Sequence, residues 1–302
     1  MNKLLAIIGP TAIGKTSLSL EVANRVASEV LSADSRLFYR HMDIGTAKPL
    51  ADERGDIPHH FIDIVEPDQT VTLGDYQDRC FARVDALHAA HKLPILVGGT
   101  GQYAWAVLEG WGIPRVPPHP ALRSELEQRS SIDLHAELTT RDPVAAAKIH
   151  PNNVRRVIRA LEVCIVTNRP ISELQAKSPP PYDIKLIGLT TNRESLYQRI
   201  DDRVDQMMAA GFLDEMARLK ALGFGRKLPS MSGLGYAQLW EYLDGELSLP
   251  DAVQRIKYET HRFVRHQYNW FKPDDQRINW FDIANPDYPN NALGTIASWL
   301  EG

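Results

Sequence analysis

Two cysteines in 302 residues, Cys80 and Cys164, are too few for a disulfide framework, and neither belongs to a CxxC pair or a His/Cys spacing that would hold zinc. Both fall in apolar, helix-like settings and read as buried free thiols in a reducing compartment. No apolar run approaches the length of a bilayer span. The opening residues Met1, Asn2 and Lys3, followed at once by an apolar strand, have the pattern of neither a signal peptide nor a transit peptide. The expectation is a cytoplasmic protein with no membrane association. Excess positive charge is missing too: 34 Lys and Arg stand against 38 Asp and Glu, a net charge of -4, so any nucleic-acid contact must come from local clusters. There are no internal repeats and no low-complexity segments. With 43% hydrophobic and 24% charged residues, the composition suits one large core, or one core with a small satellite.

What the chain does have is a glycine loop close to its start. Gly9, Pro10, Thr11, Ala12, Ile13, Gly14, Lys15 and Thr16 form G-x-x-x-x-G-K-T, preceded by the apolar run Leu4, Leu5, Ala6, Ile7, Ile8. A short continuous apolar run is expected of a strand buried on both faces of a parallel sheet. Residues 17–26 follow with a helical period. In that setting the glycines let the backbone fold around an anion, Lys15 reaches its terminal phosphates, Thr16 offers a hydroxyl to Mg²⁺, and the helix start directs N–H groups and dipole at the charge. A tight turn that binds nothing is the plainer alternative. The loop specifies phosphate or diphosphate, not the group that receives what is transferred.

A short strand at residues 29–32 delivers Asp34 and Ser35 to its carboxyl end, where open α/β sheets bind ligands. Residues 40–49 and 58–63, including His59 and His60, read as loops over a site, with the two histidines serving packing and loop hydrogen bonds. A helix at 72–91 and a buried strand at 93–97 lead to Gly98, Gly99, Thr100, Gly101, Gln102 and Tyr103, a second glycine-rich turn from strand to helix. The prolines at 114, 117, 118 and 120, and again at 179–181, bracket a helical stretch between two sheet strands, the pattern of an inserted domain. Its helix from 152 carries Arg155, Arg156 and Arg159 against Glu162 alone, with Val154, Val157, Ile158 and Leu161 serving the core. Beyond the returning strand at 184–189, a helix at 194–208 carries Arg199 and Arg203 four apart among Asp201, Asp202 and Asp205. Residues 232–236 make a third glycine-rich turn, and the helix at 249–272 interleaves bases with aromatics, a pattern that either grips RNA or merely packs an amphipathic face. A last strand at 277–281 and a helix at 290–300 close the chain. On these residues alone a phosphate-transferring small-molecule kinase and a non-catalytic RNA-binding module stay open beside an enzyme acting on RNA.

Taken jointly, the chain resembles the bacterial tRNA dimethylallyltransferases over nearly its whole length. The carriers are the glycine loop, Asp34 with Ser35, the block from Tyr39 to Pro49, Pro58 to His60, and Gly98 to Tyr103. Ile149 to Asn152 with 155–163, Gly211 with Phe212, Gly235 with Tyr236, and Gln267 with Trp270 and Phe271 complete the match. The resemblance implies an α/β, P-loop NTPase-like parallel sheet flanked by helices, residues 1–112 and 183–302, with a small helical insertion domain at 113–182 for the anticodon stem-loop. It implies transfer of a dimethylallyl group from dimethylallyl diphosphate to N6 of the adenosine 3′ of the anticodon in tRNA, with Mg²⁺ near Thr16, and pyrophosphate released by what is expected to be a monomer. It makes Asp34 the general base, sets Thr100 beside the reacting base, lets Arg203 neutralise pyrophosphate and gives the diphosphate to Gly9 through Thr16. For tRNA it implies Asp34, Ser35, Arg36, Leu37, Thr100, Arg123, Arg155, Arg156, Val157, Ile158 and Arg159. It adds Ser232, Gly233, Leu234, Gly235, Tyr236, Ala237, Arg265, His266, Gln267, Tyr268, Asn269, Trp270, Phe271 and Lys272. Departures are Leu37, where many members have Gln, and His261, Arg262, His266 and Asn269 in the long helix.

Overall fold

The computed structural model describes residues 1–302. Six strands form one parallel sheet: β1 (Asn2–Ile8), β2 (Glu29–Ser32), β3 (His59–His60), β4 (Pro94–Gly98), β5 (Tyr182–Thr190) and β6 (Ile278–Asp282), in the order β3-β2-β4-β1-β5-β6. Helices connect them: α1 (Lys15–Arg25), α2 (Ala51–Arg54), α3 (Leu73–Ala89), α4 (Gly101–Leu108), α5 (Pro120–Glu127), α6 (Ser131–Arg141), α7 (Pro143–Lys148), α8 (Val154–Thr167) and α9 (Ile171–Leu174). After β5 come α10 (Arg193–Ala209), α11 (Phe212–Ala221), α12 (Tyr236–Leu243), α13 (Leu249–Trp270) and, last, α14 (Tyr288–Glu301). Leu4 through Ile8 are wholly buried, as a central strand covered on both faces requires.

The chain divides into two compact units. The first, Met1–Trp105 with Pro181–Gly302, holds the whole sheet. Leu5, Ile7, Val30, Ile95 and Ile187 on the strands pack with Leu18 and Val22 of α1 and Ile200 of α10. A separate cluster joins Phe212 and Met216 of α11 to Leu239 and Trp240 of α12 and Ile256 of α13. The second unit, Ala106–Pro180, is helical around Leu126, Leu134, Leu138, Val157 and Leu161. It begins at Ala106, within α4, rather than at residue 113, and ends at Pro180.

Register positions the site. Ser32 pairs with Val97 and Val97 with Ile7, so Asp34, Gly99 and Gly9 each lie two residues beyond one common row across β2, β4 and β1. Three loops therefore leave three adjacent strands at one level. His59 and His60 are not loop residues as expected: they pair with Val30 and Leu31 as the sheet's edge strand. His60 Nε2 stands 2.7 Å from the buried Glu29 carboxylate, which also binds Arg83 and Lys92. A two-residue strand has too little length to show a period.

Candidate active site

Gly9 opens the glycine loop with φ 144°, and a Cβ there would stand 2.6 Å from the Leu189 carbonyl oxygen of β5. No side chain fits that approach. Ala12 and Gly14 take positive φ, which turns the chain so that α1 begins at Lys15 with no side-chain cap. The uncapped N–H groups at that start are the donors an anion satisfies. Ile13 is buried in the sheet core, so only its backbone serves the loop. Lys15 Nζ donates to the Pro10 carbonyl at 2.7 Å. Desolvation lowers its pKa to about 8; the positive charge of Arg203 adds to that, and the carboxylate of Asp34 opposes it.

Arg203, from α10, approaches Thr11 Oγ1 at 3.5 Å, and Arg199 one turn earlier donates to the Ala12 carbonyl at 2.9 Å. Burial also lowers the Arg203 pKa, again against the pull of Asp34. One carboxylate and two cations thus share a single electrostatic neighbourhood. Asp34 is set by a local turn: its Oδ1 accepts the Arg36 N–H at 3.0 Å, and its carbonyl accepts the Leu37 N–H at 3.2 Å. The Arg36 guanidinium donates to the carbonyls of Pro229 and Ser230, 3.2 Å each, and to Ser232 Oγ at 3.4 Å. This ties the Asp34 turn to the third glycine-rich segment, which is a 3-10 turn (Pro229–Ser232) leading into α12. Phe38, Tyr76 and Tyr103 cluster with ring centroids within 5.6 Å of one another, Phe38 stacked on Tyr76 and Tyr103 edge-on to both. Ser35 and Leu37 are half-buried, as is Thr100, whose carbonyl accepts the N–H groups of Tyr103 and Ala104 at the start of α4.

The residues expected to hold RNA separate into exposed and interior sets. On α13, Arg262, Arg265, His266 and Asn269 are exposed, Trp270 partly so, and Lys272 lies exposed just beyond. Arg255 and Lys257 are committed to Glu241, Glu259 and Asp205, whereas Arg262 and Arg265 have no carboxylate partner. Gln267 and Phe271 are buried, and Tyr268 is half-buried with its hydroxyl 3.0 Å from Thr190 Oγ1. Gln267 and Phe271 therefore turn their side chains into the protein. Tyr236 is buried as well, its hydroxyl donating to Glu215 at 2.6 Å, and Gly233 and Gly235 lie beneath the surface beside the half-buried Leu234 and Ala237. Glu215 also accepts the N–H groups of Asp43, Ile44 and Gly45, fixing the loop over residues 43–45. In the second unit Arg155 and Arg156 are exposed. Val157 and Ile158 are 1% and 5% exposed, so their side chains belong to its core. Arg123 and Arg159 both bind the buried Glu162 carboxylate, at 2.8 and 2.5 Å. The two guanidiniums share that one acid and hold it in place.

No group of three or more His, Cys, Asp or Glu is placed to hold a metal. The exposed Thr16 hydroxyl beside the uncapped α1 start suits a hard cation carried chiefly by diphosphate oxygens, as Mg²⁺ commonly is. Arg199 and Arg203, four apart in sequence, both reach the glycine loop. Sequence reasoning missed the interior role of Gln267, whose one cue is a lone amide in an otherwise apolar helix stripe.

With this geometry in place, known proteins can be compared. A family model described as IPP transferase matches residues 37–274. A tRNA dimethylallyltransferase of Chloroflexus aggregans is 50% identical, over 96% of this chain and 98% of its own. One from Roseiflexus castenholzii is 53% identical over 90% of each. Among solved structures, the full-length tRNA isopentenylpyrophosphate transferase of Bacillus halodurans aligns with TM-score 0.75 and 40% identity, covering 100% of this chain and 97% of that one. A eukaryotic dimethylallyltransferase acting on tRNA aligns with TM-score 0.89 and 26% identity, over 100% of this chain and 80% of its own. A glycine loop, a carboxylate turn and a second glycine turn level across one parallel sheet, matched in sequence and fold along the whole chain, make this protein a member of the IPP transferase family.

Proposed function

We propose that the chain transfers a dimethylallyl group from dimethylallyl diphosphate to N6 of the adenosine 3′ of the anticodon in tRNA, releasing pyrophosphate. The observation that carries this is the shared neighbourhood of Asp34, just past β2, Lys15, at the start of α1, and Arg203, which reaches from α10 to Thr11 of the glycine loop. The reaction forms an N6–C bond and breaks the allylic C–O bond. The amino proton goes to the Asp34 carboxylate, and the leaving diphosphate stays on the loop 9–16 against Lys15 and Arg203, which stabilise charge as it develops. Asp34 Oδ1 accepts the Arg36 N–H, which leaves Oδ2 for this task. The adenine has to leave its stack to reach that carboxylate. Mg²⁺ held by Thr16 and the diphosphate would supply further charge neutralisation. Exposed Arg262 and Arg265 on α13 and Arg155 and Arg156 on α8 supply local cations for the RNA backbone that the net charge of -4 does not provide. The protein is read as a monomer that acts where its tRNA substrate is found, in the cytoplasm.

The test incubates the protein with Mg²⁺, unmodified tRNA carrying that adenosine, and either dimethylallyl diphosphate or ATP, followed by mass spectrometry of the nucleosides. A dimethylallyl mass on the adenosine with pyrophosphate released and ATP inert is the expected result. Unmodified tRNA with ATP consumed would show a kinase-like site instead.

A further inference from the structure

One side chain of α13 breaks the pattern of its own helix. The inward stripe reads Ala252, Ile256, Val264 and then Gln267, followed by Phe271 just past the helix end. Gln267 is 4% exposed. Burying a carboxamide is unfavourable unless both its ends are hydrogen-bonded, and an apolar side chain of the same length would fill the space without that demand. Both ends are in fact satisfied, each by a different loop of the site. Oε1 accepts the Thr11 N–H of the glycine loop at 3.0 Å, and Nε2 donates to the Gly99 carbonyl at 2.8 Å. The fit is close. A Cβ at Gly99 would lie 2.5 Å from Gln267 Nε2, 3.1 Å from the Gly9 carbonyl oxygen and 3.4 Å from Lys15 Nζ. The helix end that carries Gln267 is itself fixed, since Trp105 Nε1 donates to the Trp270 carbonyl at 2.8 Å and the Trp270 side chain packs directly over Gly101.

We propose that Gln267 is a positioning residue for the transfer reaction, not an RNA contact: its carboxamide sets the spacing between the diphosphate loop after β1 and the Thr100 turn after β4. Register brings the two loops to one level but does not fix the gap between them, and this amide is the single side chain that spans it by hydrogen bonds to both. The leaving diphosphate is held on the Thr11 side and Thr100 stands on the Gly99 side. A shift of the gap therefore moves the donor relative to the acceptor, and small misplacements of reacting groups cost large factors in rate. The inference rests on the transfer reaction proposed above.

Three variants test it against wild type: Gln267→Met keeps length and loses both bonds, Gln267→Glu keeps the acceptor and loses the donor, and Gly99→Ala presses on the amide from the opposite side. The measurements are KM for dimethylallyl diphosphate and kcat, calorimetric affinity for Mg²⁺ with inorganic pyrophosphate, and tRNA affinity by filter binding. Gln267→Met should raise KM and the pyrophosphate Kd about tenfold, lower kcat by at least as much and leave the tRNA Kd within about twofold. Glu at 267 should weaken pyrophosphate further, because it adds an anion near Lys15. Gly99→Ala should reproduce the kcat loss with Gln267 intact. Unchanged kcat, KM and pyrophosphate affinity in both Gln267 variants would overturn the proposal, and so would a loss confined to tRNA affinity. If wild type transfers nothing, the reaction assigned above is wrong, and the pyrophosphate arm still decides whether Gln267 shapes the loop. Should Met at 267 prevent folding, Glu at 267 and Ala at 99 carry the test.

Discussion

Two side chains of the site carry separate predictions, Asp34 through substitution and Lys15 through its charge. Removing a positioned general base lowers turnover by about 10² to 10⁴ without touching affinity for the rest of the substrate. Asp34→Ala should therefore cut kcat by that range and leave tRNA affinity within a few-fold; full activity in this variant would remove Asp34 as the base. Lys15 has its pKa lowered to about 8 because its ammonium is desolvated, with Asp34 compensating only in part. Unfolding would return it to the usual lysine range, so the unfolded chain binds more protons between about pH 8 and 10.5. In the free protein the protonated lysine is a cost to stability that lifts as pH rises through that window. A bound diphosphate reverses this by favouring the charged form. Binding of dimethylallyl S-thiolodiphosphate near and above pH 8 should then draw a proton onto Lys15, seen as a calorimetric enthalpy that varies with buffer ionisation enthalpy. Lys15→Met should abolish the variation, and an identical buffer dependence in the two proteins would show that Lys15 does not change charge on binding.

At the scale of the element, α8 and α13 divide the arginines into those that hold the fold and those left for a partner. Arg159 reads from sequence as one face of a basic stripe with Arg155. The structure instead turns it onto Glu162 and the Val116 carbonyl, because Glu162 is fully buried and needs its cations. Arg159→Ala should cost about 1 to 3 kcal/mol of stability, with Arg123 still on the acid, and barely alter the salt dependence of tRNA binding. Arg262→Ala with Arg265→Ala should do the reverse, lowering the slope of log affinity against log salt by about 1 to 2. An unchanged slope would move the RNA surface off α13. The same contrast explains what could be read in advance. The strand, glycine loop and helix at the start of the chain are legible because a buried strand, a left-handed turn and a helix start each impose residue types within a few positions of one another. Asp34 and the Gly98 to Gly101 turn are legible for the same reason, each at the end of a short apolar run. Gln267 meets Thr11 and Gly99 across 256 and 168 residues, and Arg199 reaches Ala12 across 187. No local pattern reports contacts of that separation. Helix periodicity does place the Val157 and Ile158 side chains in the core, as found.

For the molecule as a whole, two buried acids ringed by cations shape its response to low pH, one in each compact unit. Glu29 on β2 is opposed by burial, but hydrogen bonds from Lys92, His60 and Arg83 hold its pKa down to about 2. Glu162 on α8 is likewise opposed by burial and held at about 2 by Arg123, the His119 N–H and Arg159. Both values lie below the 4.5 of an ordinary glutamate. The unfolded chain therefore takes up protons first as pH falls, and each acid contributes about 3 kcal/mol that is fully present above pH 4.5 and lost as pH drops towards 2. The two carboxylates sit in different units, so their losses are separable. Thermal unfolding followed from pH 7 to 3 should show a midpoint that falls steeply below about pH 4.5. Glu29→Gln should flatten that fall for the unit holding the sheet, and Glu162→Gln should flatten it for the helical unit, each variant being less stable than wild type at pH 7 and closer to it at pH 3. Curves for wild type and both variants that stay parallel through this window would place the acid sensitivity in other carboxylates.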